Sequence, residues 1–356
     1  MRDLIVLLAM LFWSAVPLAA QEEPAPAGHR IVAVGDLHGD YEAWRAIASA
    51  AGLADDGGNW AGGDTVLVQL GDITDRGPDS LKIIRHLISL AQEAQAAGGQ
   101  VIVLLGNHEA MNVTGDVRYV HAGEYEAFRD RKSKQRREAT WLANRDLIAA
   151  IYRKDQPHIS VGKMKERWFA ETPLGMLEHR RAWAPGGEFG EWAAQRPAAL
   201  LIGTTLFVHG GLSAEISAMS IEAINARTRA ALLPGEEVDR SALDDPLGPL
   251  WYRGNVMRGD DDEAEKARPS REAELDIVLS RYGAERLVVA HTPSLSGIAA
   301  SDDGKLIRVD TGISNYYGGV ASYLVIQGED VTAHQRGADG EWTSRTLEGA
   351  AIRSEE

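Results

Sequence analysis

Short apolar segments alternate with amphipathic segments along much of the chain. Five apolar runs have the length and the Val, Ile and Leu content of buried β-strands, and they span residues 30–34, 64–70, 100–105, 204–208 and 286–290. Amphipathic segments at 41–51 and 78–97 follow the first two runs and predict helices. This alternation of strands with helices is typical of a layered α/β fold.

Each of the five runs is followed directly by polar residues. Asp36 and His38 follow the first run, Asp72 the second and Asn107 the third, and His209 and His291 follow the last two. Open α/β sheets assemble ligand sites at the carboxyl ends of their strands. We therefore expect five loops, distant in the sequence, to meet at one site.

Two stretches interrupt the pattern. Residues 115–198 are polar and helical in character, and their basic run at 129–137 is interpreted as a solvated helix face. Residues 233–271 are irregular and contain an acidic run at 260–263, which lacks the spacing and glycine of a calcium loop. Both stretches are predicted to be insertions in one domain at 29–340, followed by a polar tail at 341–356.

The N-terminus is apolar from Leu4 to Ala20, with Arg2 before it and a segment rich in Pro, Ala and Glu after it. This pattern predicts a secretory signal peptide at 1–20 and a linker at 21–28, and hence export to the bacterial periplasm or the extracellular space. Leu18 would occupy the −3 position of the cleavage site, where a small residue is usual. An uncleaved N-terminal anchor is therefore the alternative.

Composition narrows the choice of partner. The 356 residues are 44% hydrophobic and 25% charged, which is sufficient for a large core, and the formal net charge is −15. Such an acidic surface repels nucleic acid and anionic lipid, so neither is expected as a partner. An anionic substrate would require a local positive site. There are no cysteines, which excludes disulfides, thiolate metal ligands and a cysteine nucleophile.

The polar residues at the strand ends form a set of candidate metal ligands. Carboxylate, amide and imidazole donors together suit manganese, iron or zinc better than calcium. Asp72 is the candidate bridge between two ions. Taken alone, Asp36 and His38 could form a tight polar turn, and a single histidine could be a hydrogen-bonded core residue. The candidates are Asp36, His38, Asp72, Asn107, His209 and His291.

Three further residues suggest phosphate chemistry. Arg76 carries a planar fork of donors that fits phosphate or carboxylate, although a structural pair with Asp75 is the alternative. His108 follows Asn107 directly, so its side chain points elsewhere. It suits a general acid oriented by a carboxylate such as Asp75.

The motifs as a group resemble a known family. GDLHGD, GDITDRG, GNHEAMN, FVHGGLS and VVAHTP are similar to the signature blocks of the phosphoprotein phosphatases, a family of metallophosphoesterases. GNHEAMNVTGDVRYV, PLWYRG and RVDTGISNYYGG resemble its Shewanella-like branch, and the resemblance extends from about residue 30 to 326. It implies a calcineurin-like β-sandwich flanked by helices, with a helical insertion.

The resemblance also implies a role for each residue. Asp36, His38 and Asp72 would hold one metal ion, and Asp72, Asn107, His209 and His291 would hold the other. Mn or Fe is expected in preference to Zn. His108 would be the general acid, with Asp75 behind it. The residues implied in substrate binding are Arg76, Arg253, Asn107 and Tyr316, with Tyr317 as the rival of Tyr316.

The resemblance implies a phosphomonoesterase that uses a metal-bridging hydroxide and forms no covalent intermediate. The expected substrate is a phosphorylated protein or peptide, with phosphotyrosine favoured over phosphoserine and phosphothreonine. A small phosphate ester or a dinucleotide polyphosphate is the alternative substrate. An inactive phosphate-binding module is the distant alternative.

Overall fold

The computed structural model describes residues 28–259, 268–301 and 303–347. The predicted signal peptide, most of the linker and the acidic run at 260–263 lie outside these residues. Within them, no helix combines the length and the apolar character that crossing a membrane requires.

Two mixed sheets form the centre of the molecule. Six strands form the first sheet, in the order β11-β10-β9-β1-β2-β3, and five form the second, in the order β4-β5-β6-β8-β7. The strands are β1 Ile31–Val34, β2 Val66–Gln69, β3 Gln100–Val103, β4 Ala199–Ile202, β5 Thr205–Val208, β6 Arg286–Val289, β7 Ala299–Ala300, β8 Leu306–Arg308, β9 Ser322–Gln327, β10 Asp330–Arg336 and β11 Trp342–Thr346.

Helices flank the two sheets. They are α1 Tyr41–Ala50, α2 Ser80–Ala96, α3 Asn107–Thr114, α4 Ala122–Phe128, α5 Ser133–Asp155, α6 Val161–Glu171, α7 Met176–Trp183, α8 Glu188–Ala194, α9 Ile221–Leu232 and α10 Arg271–Tyr282. Helices α4 to α8 fall in the stretch predicted to be helical. All five predicted strands are present and are one to three residues shorter than expected.

Alternation along the strands separates two hydrophobic cores. Ile31 and Ala33 of β1 pack with Phe207 of β5 and Val288 of β6, so the two sheets face each other across one core. The intervening residues, such as Val32, point outward into the core that includes the helices. This arrangement confirms the predicted α/β sandwich flanked by helices. Trp141, Tyr152 and their neighbours on α5 and α6 form a third, small cluster.

The predicted polar tail is wrong in its first part. Trp342–Thr346 forms β11, which pairs antiparallel with β10 at the edge of the first sheet. Leu347 is buried in the inter-sheet core, and its N–H donates to the carbonyl of Val331. The exposed, polar side chains of β11 conceal the strand in the sequence, because an edge strand needs few apolar residues.

Parallel pairing brings the functional loops to one edge. β1, β2 and β3 are parallel neighbours in the first sheet, and β5, β6 and β8 are parallel neighbours in the second. Where the two sheets meet, a Cβ atom on Gly35 would lie 2.6 Å from the carbonyl oxygen of Val309, which follows β8. Only glycine permits this close approach between the sheets.

Candidate metal centre

The six predicted ligands are buried at the carboxyl ends of five strands. Asp36 and His38 follow β1, Asp72 follows β2, Asn107 follows β3, His209 follows β5, and His291 follows β6. The expected convergence of five loops therefore occurs, and it draws on both sheets.

Asp72 lies between two groups of candidate ligands. Its Oδ1 is 3.4 Å from His209 Nε2, and its Oδ2 is 3.8 Å from His38 Nε2. The ligand atoms of Asp72, His209 and His291 all lie within 4.8 Å of one another. Those of His38, Asp72 and His108 do the same. The two groups share Asp72, which is the geometry required of a bridging carboxylate.

The histidine rings are oriented by backbone carbonyls. Nδ1 of His38 is 2.9 Å from the carbonyl oxygen of Thr74, and Nδ1 of His209 is 2.7 Å from that of Leu70. In the tautomer that donates from Nδ1, each Nε2 presents a lone pair to the pocket, as metal-binding histidines do. His209 Nε2 and Asn107 Oδ1 then face each other at 3.0 Å as two acceptors, an arrangement that a shared cation would relieve.

An orphaned nitrogen also marks the pocket. His291 Nε2 is buried and has no hydrogen-bond partner among the described residues. Burial lowers the pKa of His291 to about 2 and that of His38 to about 4, so both imidazoles are neutral and able to act as ligands.

Crowded carboxylates give the pocket a negative potential. Burial, Asp310 and Asp72 raise the pKa of Asp36 well above its usual value, and burial raises that of Asp310 to about 6. Burial lowers the pKa of His209, but the Asp72 carboxylate, the Leu70 carbonyl and the charge of Glu109 together outweigh burial and leave the pKa raised. Buried carboxylates beside neutral imidazoles are stabilised by cations, so the residues fit a pair of metal ions.

His108 is held by two carboxylates. Its Nδ1 is 2.6 Å from Asp75 Oδ2, and its backbone N–H donates to Asp72 Oδ1. Burial alone would lower the pKa of His108, but Asp72 and Asp75 outweigh it and raise the pKa. Asn112 donates to the other oxygen of Asp75 at 2.9 Å. The His108 ring is therefore held in a fixed orientation, and its Nε2 lies near the ligand atoms of His38 and Asp72.

The predicted phosphate-binding arginines lie beside the pocket. The Arg76 guanidinium lies 3.8 Å from the centroid of the Tyr119 ring and donates to the hydroxyl of Tyr316 at 3.2 Å. Arg253 donates to the carbonyl oxygen of His291 at 2.7 Å. Tyr316 is 60% exposed.

The rival tyrosine takes a different place. The Tyr317 ring lies 5.4 Å from the His38 ring and 5.0 Å from that of Tyr316. Burial raises the pKa of Tyr317 to about 12, so its hydroxyl stays protonated. Tyr316 contacts the arginine, and Tyr317 lies beside the candidate metal ligands.

Sequence reasoning missed three acidic residues. Glu109 is fully buried and accepts backbone N–H groups from Asp72, Ile73 and Thr74 at 2.9–3.1 Å. Asp310 lies two residues past β8, at a sixth strand end whose Asp-Thr-Gly sequence was the available signal. Glu124 of α4 accepts the N–H of Asp75 and gave no signal beyond an ordinary helical position.

Several non-glycine residues of this site have a positive φ angle. Among the described residues, the non-glycine residues with positive φ are His38, Asp72, Asp75, Arg76 and His291. All five are predicted site residues.

Comparisons with known proteins give a consistent result. A family model described as calcineurin-like phosphoesterase matches residues 29–295. Shewanella-like protein phosphatase 2 of Arabidopsis thaliana is 34% identical over 293 residues, which are 80% of this chain and 71% of the relative. Shewanella-like protein phosphatase 1 of Plasmodium berghei is 28% identical over 312 residues, 85% and 73% of the two chains. The crystal structure of a cold-active protein-tyrosine phosphatase from a psychrophilic Shewanella species matches with a TM-score of 0.64 and 26% identity, covering 90% of this chain and 80% of that one.

Proposed function

The chain belongs to the calcineurin-like phosphoesterases, in their Shewanella-like phosphatase branch, and from this premise we propose that it is a metal-dependent protein phosphatase with a preference for phosphotyrosine. It is a phosphoric monoester hydrolase. The observation that carries the proposal is the position of Asp72 between two ligand groups, next to the pair of His108 and Asp75.

The metal assignment adds Asp36 and Asn107 to the two ligand groups and gives His108 a separate role. Asp36 Oδ2 lies 3.8 Å from His38 Nε2, and Asn107 Oδ1 lies 3.0 Å from His209 Nε2. The first ion is proposed to bind Asp36, His38 and Asp72, and the second Asp72, Asn107, His209 and His291. Oxygen and imidazole donors favour Mn or Fe, with Zn also compatible. When bound, such ions neutralise phosphate charge and lower the pKa of a water molecule. Elemental analysis of the purified chain should find two ions, and Asp72→Asn should reduce the content of both.

The remaining steps belong to side chains of this chain. Arg76 and Arg253 bind the phosphate oxygens, whose charge grows in the transition state. His108 Nε2 donates a proton to the leaving oxygen, while Asp75 keeps the proton on Nδ1 and holds the ring in place. Water attacks phosphorus directly, so no covalent phosphoenzyme is formed. A stoichiometric burst in rapid-quench kinetics, together with trapped phosphoprotein, would contradict this step.

The preference for phosphotyrosine rests on two arguments. The Shewanella structure with 26% identity is named a protein-tyrosine phosphatase. The exposed Tyr316 ring, next to Arg76, offers a flat surface against which a phenyl group could stack.

A substrate panel tests the proposal. Initial rates of the metal-loaded enzyme should be measured on phosphotyrosine, phosphoserine and phosphothreonine peptides of one sequence, on mononucleotides and on dinucleotide polyphosphates. We expect the highest kcat/KM on the phosphotyrosine peptide. A marked preference for a dinucleotide polyphosphate would favour a small-molecule hydrolase, and hydrolysis of none of these would favour the inactive phosphate-binding module.

Export is a separate proposal. It rests on the apolar segment from Leu4 to Ala20, which follows Arg2. Expression of the full chain in a Gram-negative host, followed by fractionation, should recover the phosphatase in the periplasm. Recovery in the cytoplasm at full length would contradict export.

A further inference from the structure

The turn that carries Asp75 and Arg76 is held from outside its own loop. The Asp75 N–H donates to Glu124 Oε1 at 2.9 Å, and the Arg76 N–H donates to the Tyr119 carbonyl oxygen at 2.9 Å. Glu124 lies in the first turn of α4, and Tyr119 lies in the loop that leads to it. One short segment, residues 119–124, thus binds two consecutive backbone groups of the turn.

This turn has a conformation that needs external support. Asp75 has a φ of 71° and Arg76 a φ of 68°, and two successive non-glycine residues in this region are strongly disfavoured. Their side chains must nonetheless point in defined directions, because Asp75 contacts the His108 ring and Arg76 packs on the Tyr119 ring. Hydrogen bonds to the two N–H groups select this conformation over the ordinary one.

Glu124 is buried, and its carboxyl group faces the turn. Its side chain is 2% exposed, and besides the Asp75 N–H it accepts the hydroxyl of Ser80. Its second oxygen, Oε2, lies 3.7 Å from Nε2 of the buried His179. A carboxyl group in such an apolar setting is expensive unless it is hydrogen-bonded, so its contacts with the turn explain its presence.

We infer that Glu124 is a positioning residue for the hydrolysis: it fixes the Asp75–Arg76 turn, so that Asp75 orients the proton donor His108 and Arg76 faces the phosphate. The inference rests on the roles proposed above for His108 and Arg76. Its consequence is that the start of the helical stretch, which the sequence suggested was an insertion, belongs to the catalytic apparatus.

Two substitutions of Glu124 differ in whether they keep an oxygen that can accept the Asp75 N–H, and so they test its positioning role. Burial and Asp75 raise the pKa of Glu124 to about 8, so glutamine resembles its protonated form and keeps an oxygen for the Asp75 N–H. Glu124→Gln should retain kcat within about threefold, whereas Glu124→Ala leaves the Asp75 N–H unpaired and should lower kcat about 10- to 100-fold. Both variants should keep two metal ions per chain, measured by elemental analysis.

The choice of substrate makes the test specific. A phosphoserine peptide has a poor leaving group that needs a proton, whereas p-nitrophenyl phosphate does not. Loss of a well-oriented His108 should therefore reduce the first rate more than the second. For each variant, the discrimination is the factor by which the phosphoserine rate falls divided by the factor by which the p-nitrophenyl phosphate rate falls. The logarithm of this ratio for Glu124→Ala should be at least about one third of the logarithm for His108→Asn.

A matched variant controls for simple destabilisation. Phe128 lies on the same helix, packs on His179 and Phe189, and has no contact with the turn among the described interactions. Phe128→Leu should lower the unfolding midpoint without changing the ratio of the two rates. If Phe128→Leu and Glu124→Ala shift that ratio equally, Glu124 has only a structural role and the inference is overturned.

The outcomes also separate this inference from the proposed function. If His108→Asn lowers the phosphoserine rate more than the p-nitrophenyl phosphate rate and Glu124→Ala lowers both equally, the positioning role of Glu124 is wrong. The proposed hydrolase function is then unaffected. If neither variant discriminates, the general-acid role of His108 is wrong, and the positioning role of Glu124 falls with it.

Discussion

At the scale of single residues, the site depends on strained backbone. Each left-handed non-glycine residue costs about 1–2 kcal/mol relative to an ordinary conformation, and His38, Asp72, Asp75, Arg76 and His291 all adopt it. Buried hydrogen bonds compensate for this strain, above all the bonds that Glu109 accepts from the loop of Asp72. The strained backbone therefore lowers the stability of the fold but directs these side chains into one pocket.

The acid role of His108 predicts a selective loss. His108→Asn removes the ring that Asp75 holds, and it should lower kcat on a phosphoserine peptide about 100- to 1000-fold, with a smaller loss on a phosphotyrosine peptide because phenolate leaves more easily. Steady-state kinetics on peptides of the same sequence measures both values. Metal content should not change, and unchanged turnover with full metal content would exclude His108 as the acid.

The site residues within the motifs could be predicted from the sequence, whereas the residues that hold them in place could not. Asp72 and His209 stand at strand ends, where the hydrophobic pattern exposes them. Glu124 lies 49 positions from Asp75, and nothing in the local sequence distinguishes it from other helical acids. Glu109 stood within a recognised motif, but its function is to accept backbone N–H groups, and only the folded loop reveals that.

At the scale of elements, the edge strand β11 can be tested directly. Leu347 fills part of the inter-sheet core, so Leu347→Ala should lower the free energy of unfolding by about 2–4 kcal/mol in urea denaturation. Ser344 is exposed on β11, three residues before Leu347, and Ser344→Ala should stay within about 0.5 kcal/mol of the original chain. If the original chain and the two variants are equally stable, Leu347 is not part of the core and the prediction of a polar tail from residue 341 is correct.

The packing of α7 against α4 predicts a dependence on pH. Burial lowers the pKa of His179 to about 4, because its ring lies among Tyr125, Phe128 and Trp183. The folded chain therefore binds fewer protons than the unfolded chain between pH 4 and 6.5. The contribution of His179 to stability is complete above pH 6.5 and is lost as the pH falls to 4, by at most about 3 kcal/mol.

Replacing this histidine tests the contribution. His179→Phe keeps an aromatic ring in the cluster and cannot be protonated, so its stability should fall less than that of the original chain between pH 6.5 and 4. Urea denaturation at several pH values measures the difference. His158→Gln, at an exposed position, should keep the original slope. If His179→Phe keeps it too, the ring is not held neutral by burial.

Strands with a strong apolar pattern were predictable, and the more polar strands towards one side of the first sheet were not. β1, β2, β5 and β6 are buried along their whole length and appear as mainly apolar runs. β10 and β11 alternate or are exposed, so their sequences resemble loops. Pairing with β9 and burial of Leu347 create these strands, and neither is a local property of the sequence.

At the scale of the whole molecule, two sheets share one site. The ligands after β1 and β2 come from one sheet and those after β5 and β6 from the other, so the pocket exists only when the sheets are packed together. The order of motifs along the sequence does not reveal this division. It follows from the faces that each strand buries, and it explains why Gly35 must lie against Val309.

The net charge of −15 opposes the approach of an anionic substrate and so predicts an effect of salt. Long-range repulsion slows association with a phosphopeptide whose flanking residues are acidic, and salt screens it, because the Debye length falls from about 30 Å at 0.01 M to about 10 Å at 0.1 M. For such a peptide, kcat/KM should rise over this range.

A peptide with basic flanks should show the opposite trend, since the same field attracts it. Both substrates carry the same phosphorylated residue, and kcat should change little, because screening acts on association and not on the buried groups around Asp72. Parallel responses of the two peptides would mean that the local positive charge of Arg76, Arg253 and the metal ions outweighs the charge of the whole molecule.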